Sequence, residues 1–160
     1  STHIANCWEV GFHRRDARFK ERGAAEFAGD IRLTGAVNTR QAITKRFKAA
    51  VAIEEGSIVV IDPTQDGFVT TTNQVADKKI IGVAVTRAIN AGDEIEVAIG
   101  GSVQVRFDQL QSVAPGELIV TDAVAGSGRP ASNPTAGSVL GKSTSFKDAN
   151  NYAWVLILLN

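Results

Sequence analysis

The sequence is poor in the side chains from which catalytic and metal sites are built. It has one cysteine, Cys7, and two histidines, His3 and His13, in 160 residues. A single cysteine excludes an internal disulfide, and His3 with Cys7 supplies only two zinc ligands. A Ser–His–Asp triad would have to use one of these two histidines, and no Gly-x-Ser-x-Gly turn is present. We therefore expect no enzyme, no metal and no cofactor.

Other ligand-binding motifs are also missing. The stretch DPTQDG at 62–67 resembles the start of a calcium loop, but its twelfth position is Asn73 instead of glutamate. A hairpin turn is the better interpretation. GSGRP at 126–130 lacks the Lys-Ser/Thr pair of a phosphate-binding loop.

Long apolar runs are absent as well. The final stretch YAWVLILLN, 152–160, is far shorter than the roughly 18 apolar residues that indicate a membrane span. No basic start followed by an apolar run indicates a signal peptide. We expect no membrane contact and synthesis in a cytoplasm.

The net charge is zero, but the two signs are unevenly distributed. Residues 1–50 hold ten Lys/Arg and five Asp/Glu, or +5, and residues 51–160 hold seven and twelve, or −5. This asymmetry predicts a basic extension on a mildly acidic body, with a merely solvated surface as the alternative. Phe12, Phe19 and Phe27 lie among arginines, as in a groove for nucleic acid. The interleaved acids fit a protein–protein surface better, so nucleic acid is disfavoured as a partner.

Signals for β-strands dominate the chain after residue 50. Short Val/Ile runs alternate with Gly, Pro, Asp and Asn turns, including a Gly-Gly turn at 100–101. Residues 123–137, rich in Gly, Pro, Ser and Asn, predict a surface loop. The pattern predicts strands at 57–62, 68–72, 79–86, 94–99, 102–107, 118–122, 138–143 and 152–159, the last of them buried. We predict a mainly all-β fold: a small β-barrel or β-sandwich body of two similar β-units, with an extended N-terminal arm and at most one or two short helices.

The first fifty residues are less regular. Residues 14–22 allow a short helix at best, and residues 30–37 alternate like a strand. Residues 41–50 fit a helix and a strand equally well. We divide the chain into a basic N-terminal arm, 1–50, and a β-rich body, 51–160.

The body contains nearly the same stretch twice. GSIVVID at 56–62 and GELIVTD at 116–122 lie sixty positions apart, and a strand containing Gly82 or Gly141 follows each of them. We predict an internal pseudo-repeat at about 56–99 and 116–158, whose two units close a shared core. The alternative is chance likeness among strands rich in Val, Ile and Gly.

The order of these motifs also resembles a known family. The motifs follow one another in this order: a strand ending in Asp, a turn, the pattern x-x-G-V-A, a Gly-Asp turn and a G-x-V-x-V strand. The stretches APGELIVTD and AGSVLGK come later. Over roughly 51–160 the chain is similar to the small decoration, or cement, proteins of tailed-phage capsids. The resemblance implies a non-enzymatic β-rich body that forms homotrimers. It also implies a place on the outer capsid surface, bound to the major capsid protein, after synthesis in the host cytoplasm.

The resemblance implies that the N-terminal arm takes part in the contact with the capsid. NCWEVGFHRRD, 6–16, resembles the opening of some phage structural proteins, although 1–50 is longer and more basic than a plain arm. We predict the partner-binding residues to be Trp8, Phe12, Arg14, Arg15, Arg18 and Phe19. The alternative is a fibre or spike module that binds a host receptor or glycan. It predicts exposed aromatic side chains on the body's loops, and the loop at 123–137 has none.

Overall fold

The computed structural model describes Ala28 and residues 42–159, and the latter belong to a unit that begins at Thr39. These residues form no helix, so none of them forms a helix able to span a membrane. They form nine strands: β1 Ile43–Ala49, β2 Ile58–Ile61, β3 Phe68–Thr70, β4 Ile80–Ala84, β5 Glu94–Arg106, β6 Leu118–Thr121, β7 Gly128–Ala131, β8 Gly141–Ser143 and β9 Tyr152–Ile157. The predicted all-β class is confirmed. The helix predicted at 14–22 and the strand predicted at 30–37 lie outside the described residues.

Five strands close into a small barrel, called here the first barrel. Its order is β1-β3-β2-β4-β5, and β1 also pairs with the N-terminal half of β5, which closes the ring. The contact between β1 and β3 is parallel, and the other contacts are antiparallel. A closed sheet leaves no free edge to pair with another chain.

The second barrel repeats this pairing with later strands. The C-terminal half of β5 pairs with β9, and the order continues through β8, β6 and β7. A parallel bridge between Phe107 and Gly128 brings β7 back to the end of β5. Each contact has the orientation of its counterpart in the first barrel.

The two similar stretches of sequence occupy equivalent places in this scheme. Gly56 and Gly116 both have positive φ, +84° and +91°. The Gly56 N–H donates to the Ala84 carbonyl (2.8 Å), and the Gly116 N–H donates to the Ser143 carbonyl (2.7 Å). The limits set from the sequence for arm, body and repeat stay predictions, and most of the arm lies outside the described residues.

Gly82 and Gly141 also play matching parts, in β4 and β8. A Cβ atom at Gly82 would collide with the carbonyl oxygen of Ala98, and one at Gly141 would collide with that of Leu156. Neither glycine has a positive φ, so the close approach of the neighbouring strand, and not backbone conformation, requires glycine here.

The predicted turn at Gly100–Gly101 is wrong. Strand β5 runs without a break for 13 residues, from Glu94 to Arg106. Gly101, with φ +84°, lies where β5 passes from the first barrel to the second, and a Cβ there would approach the Ala42 backbone to 3.0 Å. The two glycines let one strand serve both barrels.

One further segment differs from its prediction, and one that the sequence left open is now assigned. The loop predicted at 123–137 contains β7, in which Pro130 pairs with Ile119. Proline lacks an N–H group and is tolerated in strands mainly at sheet edges. β7 fits this rule, because it is the last strand in the sheet order and its neighbour there is β6. Residues 41–50 were left open between helix and strand, and Ile43–Ala49 within this range forms the strand β1. This strand belongs to the first barrel although it precedes residue 51.

The apolar interior has two parts. The first fills the first barrel with Ala49, Ile53, Val59, Val69, Ala84, Ala88, Ile95 and Val97. The second fills the second barrel with residues such as Phe107, Ile119, Leu140 and Val155, and it also includes Ile58, Val83 and Ala98 of the first barrel. Ile58 and Val59 are adjacent and both fully buried, so β2 is covered on both faces.

Hydrogen bonds also join the two barrels, around the part of the core to which both contribute. The Ile58 N–H donates to the Gly126 carbonyl (2.8 Å), and the Arg106 N–H donates to the Gly56 carbonyl (2.9 Å). The Asp77 N–H donates to Thr121 Oγ1 (2.8 Å), which connects the β3–β4 loop with β6. The two barrels are therefore joined by main-chain hydrogen bonds as well as by apolar packing.

We expect Gly82→Ala and Gly141→Ala each to lower the free energy of unfolding by more than about 2 kcal/mol, because the new methyl group would collide with backbone. Gly92→Ala is the control. Gly92 has φ +92° and open space around it, so only conformational strain of about 1 kcal/mol is expected. Urea denaturation measures all three, and equal losses for Gly82→Ala and Gly92→Ala would contradict the packing argument.

We expect Asp77→Asn to cost about 1–3 kcal/mol at pH 7 and less at low pH. Burial alone would raise the pKa of Asp77, but hydrogen bonds from Lys79 N and Thr72 Oγ1 and the Lys79 ammonium hold that pKa below its ordinary value. A carboxyl with a depressed folded pKa stabilises the fold above its unfolded pKa of about 3.9, and this contribution is lost as the pH falls through the folded pKa.

Urea denaturation at about pH 7 and pH 3 tests this, with Asp66→Asn in the exposed β2–β3 turn as the control. The stability difference between wild type and Asp77→Asn should shrink on acidification, whereas Asp66→Asn should follow wild type. A difference that is independent of pH would show that the Asp77 charge does not stabilise the fold.

Candidate functional site

Within residues 42–159, no group of three or more His, Cys, Asp or Glu side chains could hold a metal ion. The DPTQDG stretch is the turn between the antiparallel strands β2 and β3. Asp62 accepts hydrogen bonds from Thr64 Oγ1 (2.7 Å), Thr64 N (2.9 Å) and Gln65 Nε2 (3.1 Å). These bonds, from Thr64 first, lower the pKa of Asp62. Its carboxylate stabilises its own turn.

The outward side of β9 carries an apolar surface, called here the β9 face: Tyr152, Trp154, Leu156 and, just beyond the strand, Leu158. Successive side chains of a strand point to opposite sides. The inward side chains, Ala153, Val155 and Ile157, are buried. Trp154, Leu156 and Leu158 are 44%, 40% and 49% exposed. Exposed apolar side chains that are contiguous, unlike single ones, typically mark an interaction site.

Polar residues border the β9 face on both neighbouring strands. On β5, Gln104 lies opposite Trp154 and Ser102 lies opposite Leu156. On β8, the exposed Lys142 lies opposite Leu156. An apolar centre with a polar border is the usual composition of a protein–protein contact.

A groove of about 560 Å³ lies beside the β9 face, where Tyr152 and Trp154 meet residues of the first barrel. Its wall includes Glu55, Glu96 and Gln104, and the Tyr152 hydroxyl donates to the Glu55 carbonyl (3.4 Å). None of its described lining residues is Lys or Arg. Aromatic rings beside carboxylates and an amide suit a neutral hydroxyl-rich ligand or a basic peptide segment.

The binding residues predicted from the sequence lie outside the described residues, and their role stays a prediction: Trp8, Phe12, Arg14, Arg15, Arg18 and Phe19. Sequence reasoning missed the β9 face, because the final stretch was interpreted as a wholly buried strand. That interpretation is wrong for every second position. The alternation of small or β-branched residues, Ala153, Val155 and Ile157, with aromatic residues and leucines is the signal that could have indicated two differently covered sides.

No family model and no curated protein matches the sequence. Solved structures do match. One is described as the head fiber gp8.5 N base in bacteriophage phi29, with 15% identity, a TM-score of 0.53, and coverage of 72% of this chain and 93% of that chain. Another is a chain from the capsid of Myoviridae Phage XM1, with 17% identity, a TM-score of 0.50, and coverage of 83% and 93%. At these identities the likeness shows a shared fold, and it is a fold found in proteins of phage heads.

Proposed function

We propose that the protein is a decoration, or cement, protein of a tailed-phage capsid. In this role it binds the major capsid protein on the outer surface of the head, after synthesis in the host cytoplasm, and stabilises the shell without catalysis. The observation that carries the proposal is the fold shared with a phage head-fibre base and a phage capsid chain. The independent resemblance of residues 51–160 to decoration proteins supports it.

The physical character of the body agrees with such a role. The second barrel's apolar core includes side chains from the first barrel, and main-chain hydrogen bonds join the two barrels. A close-packed body of this kind resists deformation. Its described surface offers apolar and mixed-polar areas, which suit binding to another protein.

The β9 face supports the proposal that copies of the chain associate, and the resemblance to decoration proteins implies that the assembly is a homotrimer. The side chains of Trp154, Leu156 and Leu158 are partly exposed to solvent in the single chain. Burying such side chains contributes about 25 cal/mol per Å², and closed symmetric assemblies are the usual way in which copies of one chain cover apolar surface. We therefore propose that the β9 face contacts a neighbouring copy.

The basic arm would add attachment to the shell. Residues 1–50 carry +5 and residues 51–160 carry −5. Opposite charges favour contact of an arm with a neighbouring body or with an acidic lattice, and several tethered contacts raise the overall affinity. We propose that the arm binds through Trp8, Phe12, Arg14, Arg15, Arg18 and Phe19.

The alternative function is a fibre or spike module that binds a host receptor or glycan. The groove favours it, because its lining combines Tyr152 and Trp154 with the polar residues Glu55, Glu96 and Gln104. One loop of the body also exposes an aromatic side chain, Phe146. The head-fibre neighbour is compatible with this alternative too.

Deleting residues 1–20 should remove binding to the shell and leave the fold intact, because the described barrels begin at β1, Ile43–Ala49. Circular dichroism should keep its β-type spectrum. Co-sedimentation with heads of the same phage, assembled without this protein, should fall to background. The matched control is the full chain with Cys7→Ser, which keeps the length and charge of the arm. Binding of the truncated chain at wild-type strength would remove the arm from the proposal.

Trp154→Ser combined with Leu156→Ser should shift the protein from oligomer to monomer, because the exchange removes the apolar centre of the β9 face. Light scattering after size-exclusion chromatography measures the mass. Ser102→Thr on the neighbouring strand is the control and should stay oligomeric. If the double variant keeps its oligomeric mass but loses binding to host surface oligosaccharides in calorimetry, the groove-based alternative is favoured instead.

A further inference from the structure

Two loops at one end of the second barrel expose large apolar side chains. Leu110 is 85% exposed and Phe146 is 70% exposed, the two highest values for large apolar residues in the described part of the chain. The loop with Leu110 follows β5 and the loop with Phe146 precedes β9. Because Arg106 and Tyr152 are paired at the adjoining ends of these antiparallel strands, both loops leave the sheet at the same end. Leu110 and Phe146 are called here the apolar tip.

A lysine ties the two loops together. Lys147, next to Phe146, extends its ammonium group to the carbonyl oxygens of Asp108 (3.1 Å), Gln109 (3.0 Å) and Gln111. An ammonium group has three N–H donors, so these carbonyls satisfy all of them. The Lys147 N–H also donates to the Val113 carbonyl (3.3 Å). The loop that carries Leu110 is thus wrapped around the end of one side chain from the other loop.

Two carboxylates hold further main-chain groups of these loops. Asp108 Oδ2 accepts the Leu110 N–H (3.1 Å), and Asp148 Oδ1 accepts the N–H groups of Asn150 (2.9 Å) and Tyr152 (3.0 Å). All these bonds use main-chain groups, so they would form equally well with polar side chains at 110 and 146. The bonds hold the loops in place, but they do not require a leucine or a phenylalanine there.

A large apolar side chain that a fixed loop exposes to water does not stabilise the isolated chain, but it is favourable for binding. Ordering a flexible loop on association costs free energy, and a loop that is already ordered avoids this cost. Large apolar and aromatic side chains that enter a partner's pocket provide most of the affinity of many interfaces. The apolar tip has both properties.

We propose that the apolar tip is a point at which the protein attaches to a shell subunit, which receives Leu110 and Phe146 in an apolar pocket. Lys147 is the residue that positions them. This inference rests on the proposed decoration function. Two such side chains bury on the order of 300 Å², well below the roughly 800 Å² per partner of a stable complex. So small a contact holds only when it is repeated, as happens when an oligomer sits on a regular lattice.

The test is co-sedimentation of full-length variants with heads of the same phage that lack this protein. Leu110→Ser with Phe146→Ser should weaken binding about tenfold or more and leave the oligomeric mass unchanged. The matched control is Ile89→Ser, an equally drastic change at a side chain that is 64% exposed in the β4–β5 connection. It should bind like wild type.

A second variant separates positioning from simple stabilisation. Lys147→Met keeps the aliphatic stem and removes the three bonds to carbonyls, so head binding should weaken several-fold while Leu110 and Phe146 remain. Lys147→Arg should restore part of the binding. Unchanged binding of Lys147→Met, with only a lower Tm, would limit Lys147 to a structural role and overturn its assignment.

The remaining outcomes are also decisive. Wild-type binding by the double serine variant would overturn the apolar tip alone, whereas failure of the wild-type protein to bind heads would overturn the proposed function with it. Dissociation of the double variant into monomers would show that the apolar tip contacts a second copy, and would also overturn the inference.

Discussion

The structure depends on one shared apolar contact: Ile58, Val83 and Ala98 point out of the first barrel and form part of the core of the second. Each barrel alone is too small to enclose a large dry interior. Because the outer side of one closed sheet covers the inner side of the other, strands β2 and β4 are buried on both faces. The run of apolar residues Ile58, Val59 and Val60 follows from this double burial. Removing the first barrel would take Ile58, Val83 and Ala98 out of the second barrel's core and expose that core to water.

Such an arrangement explains why the functional surfaces lie where they do. The inward positions of the strands are used for packing, so contacts with partners must come from outward positions and loops. The β9 face is the outward half of a strand whose inward half closes the second core, and the apolar tip lies on the loops that leave β5 and β9. Both surfaces are therefore fixed to the packed interior by the strands that carry them, which suits a protein whose proposed work is to hold other proteins in place.

The sequence was sufficient for the fold class and for most strands, because alternation and turn residues are local signals. It was insufficient wherever tertiary contacts override those signals. Gly100 and Gly101 have the composition of a turn, but the pairing of β5 with β1 and then with β9 continues the strand through them. β7 contains Pro130, which suits only an edge position that the sequence does not reveal. The β9 face was missed for the same reason, since apolar character alone does not show which side of a strand is covered.

The unbroken path of β5 has a mechanical consequence. A force applied to one barrel reaches the other through thirteen consecutive residues of a single backbone, and not through a flexible connection. Pulling the barrels apart along this direction would load the hydrogen bonds of β5 with β1 and with β9 side by side, in shear, so that many must break together. The main-chain pairing of both barrels would therefore resist such a force together.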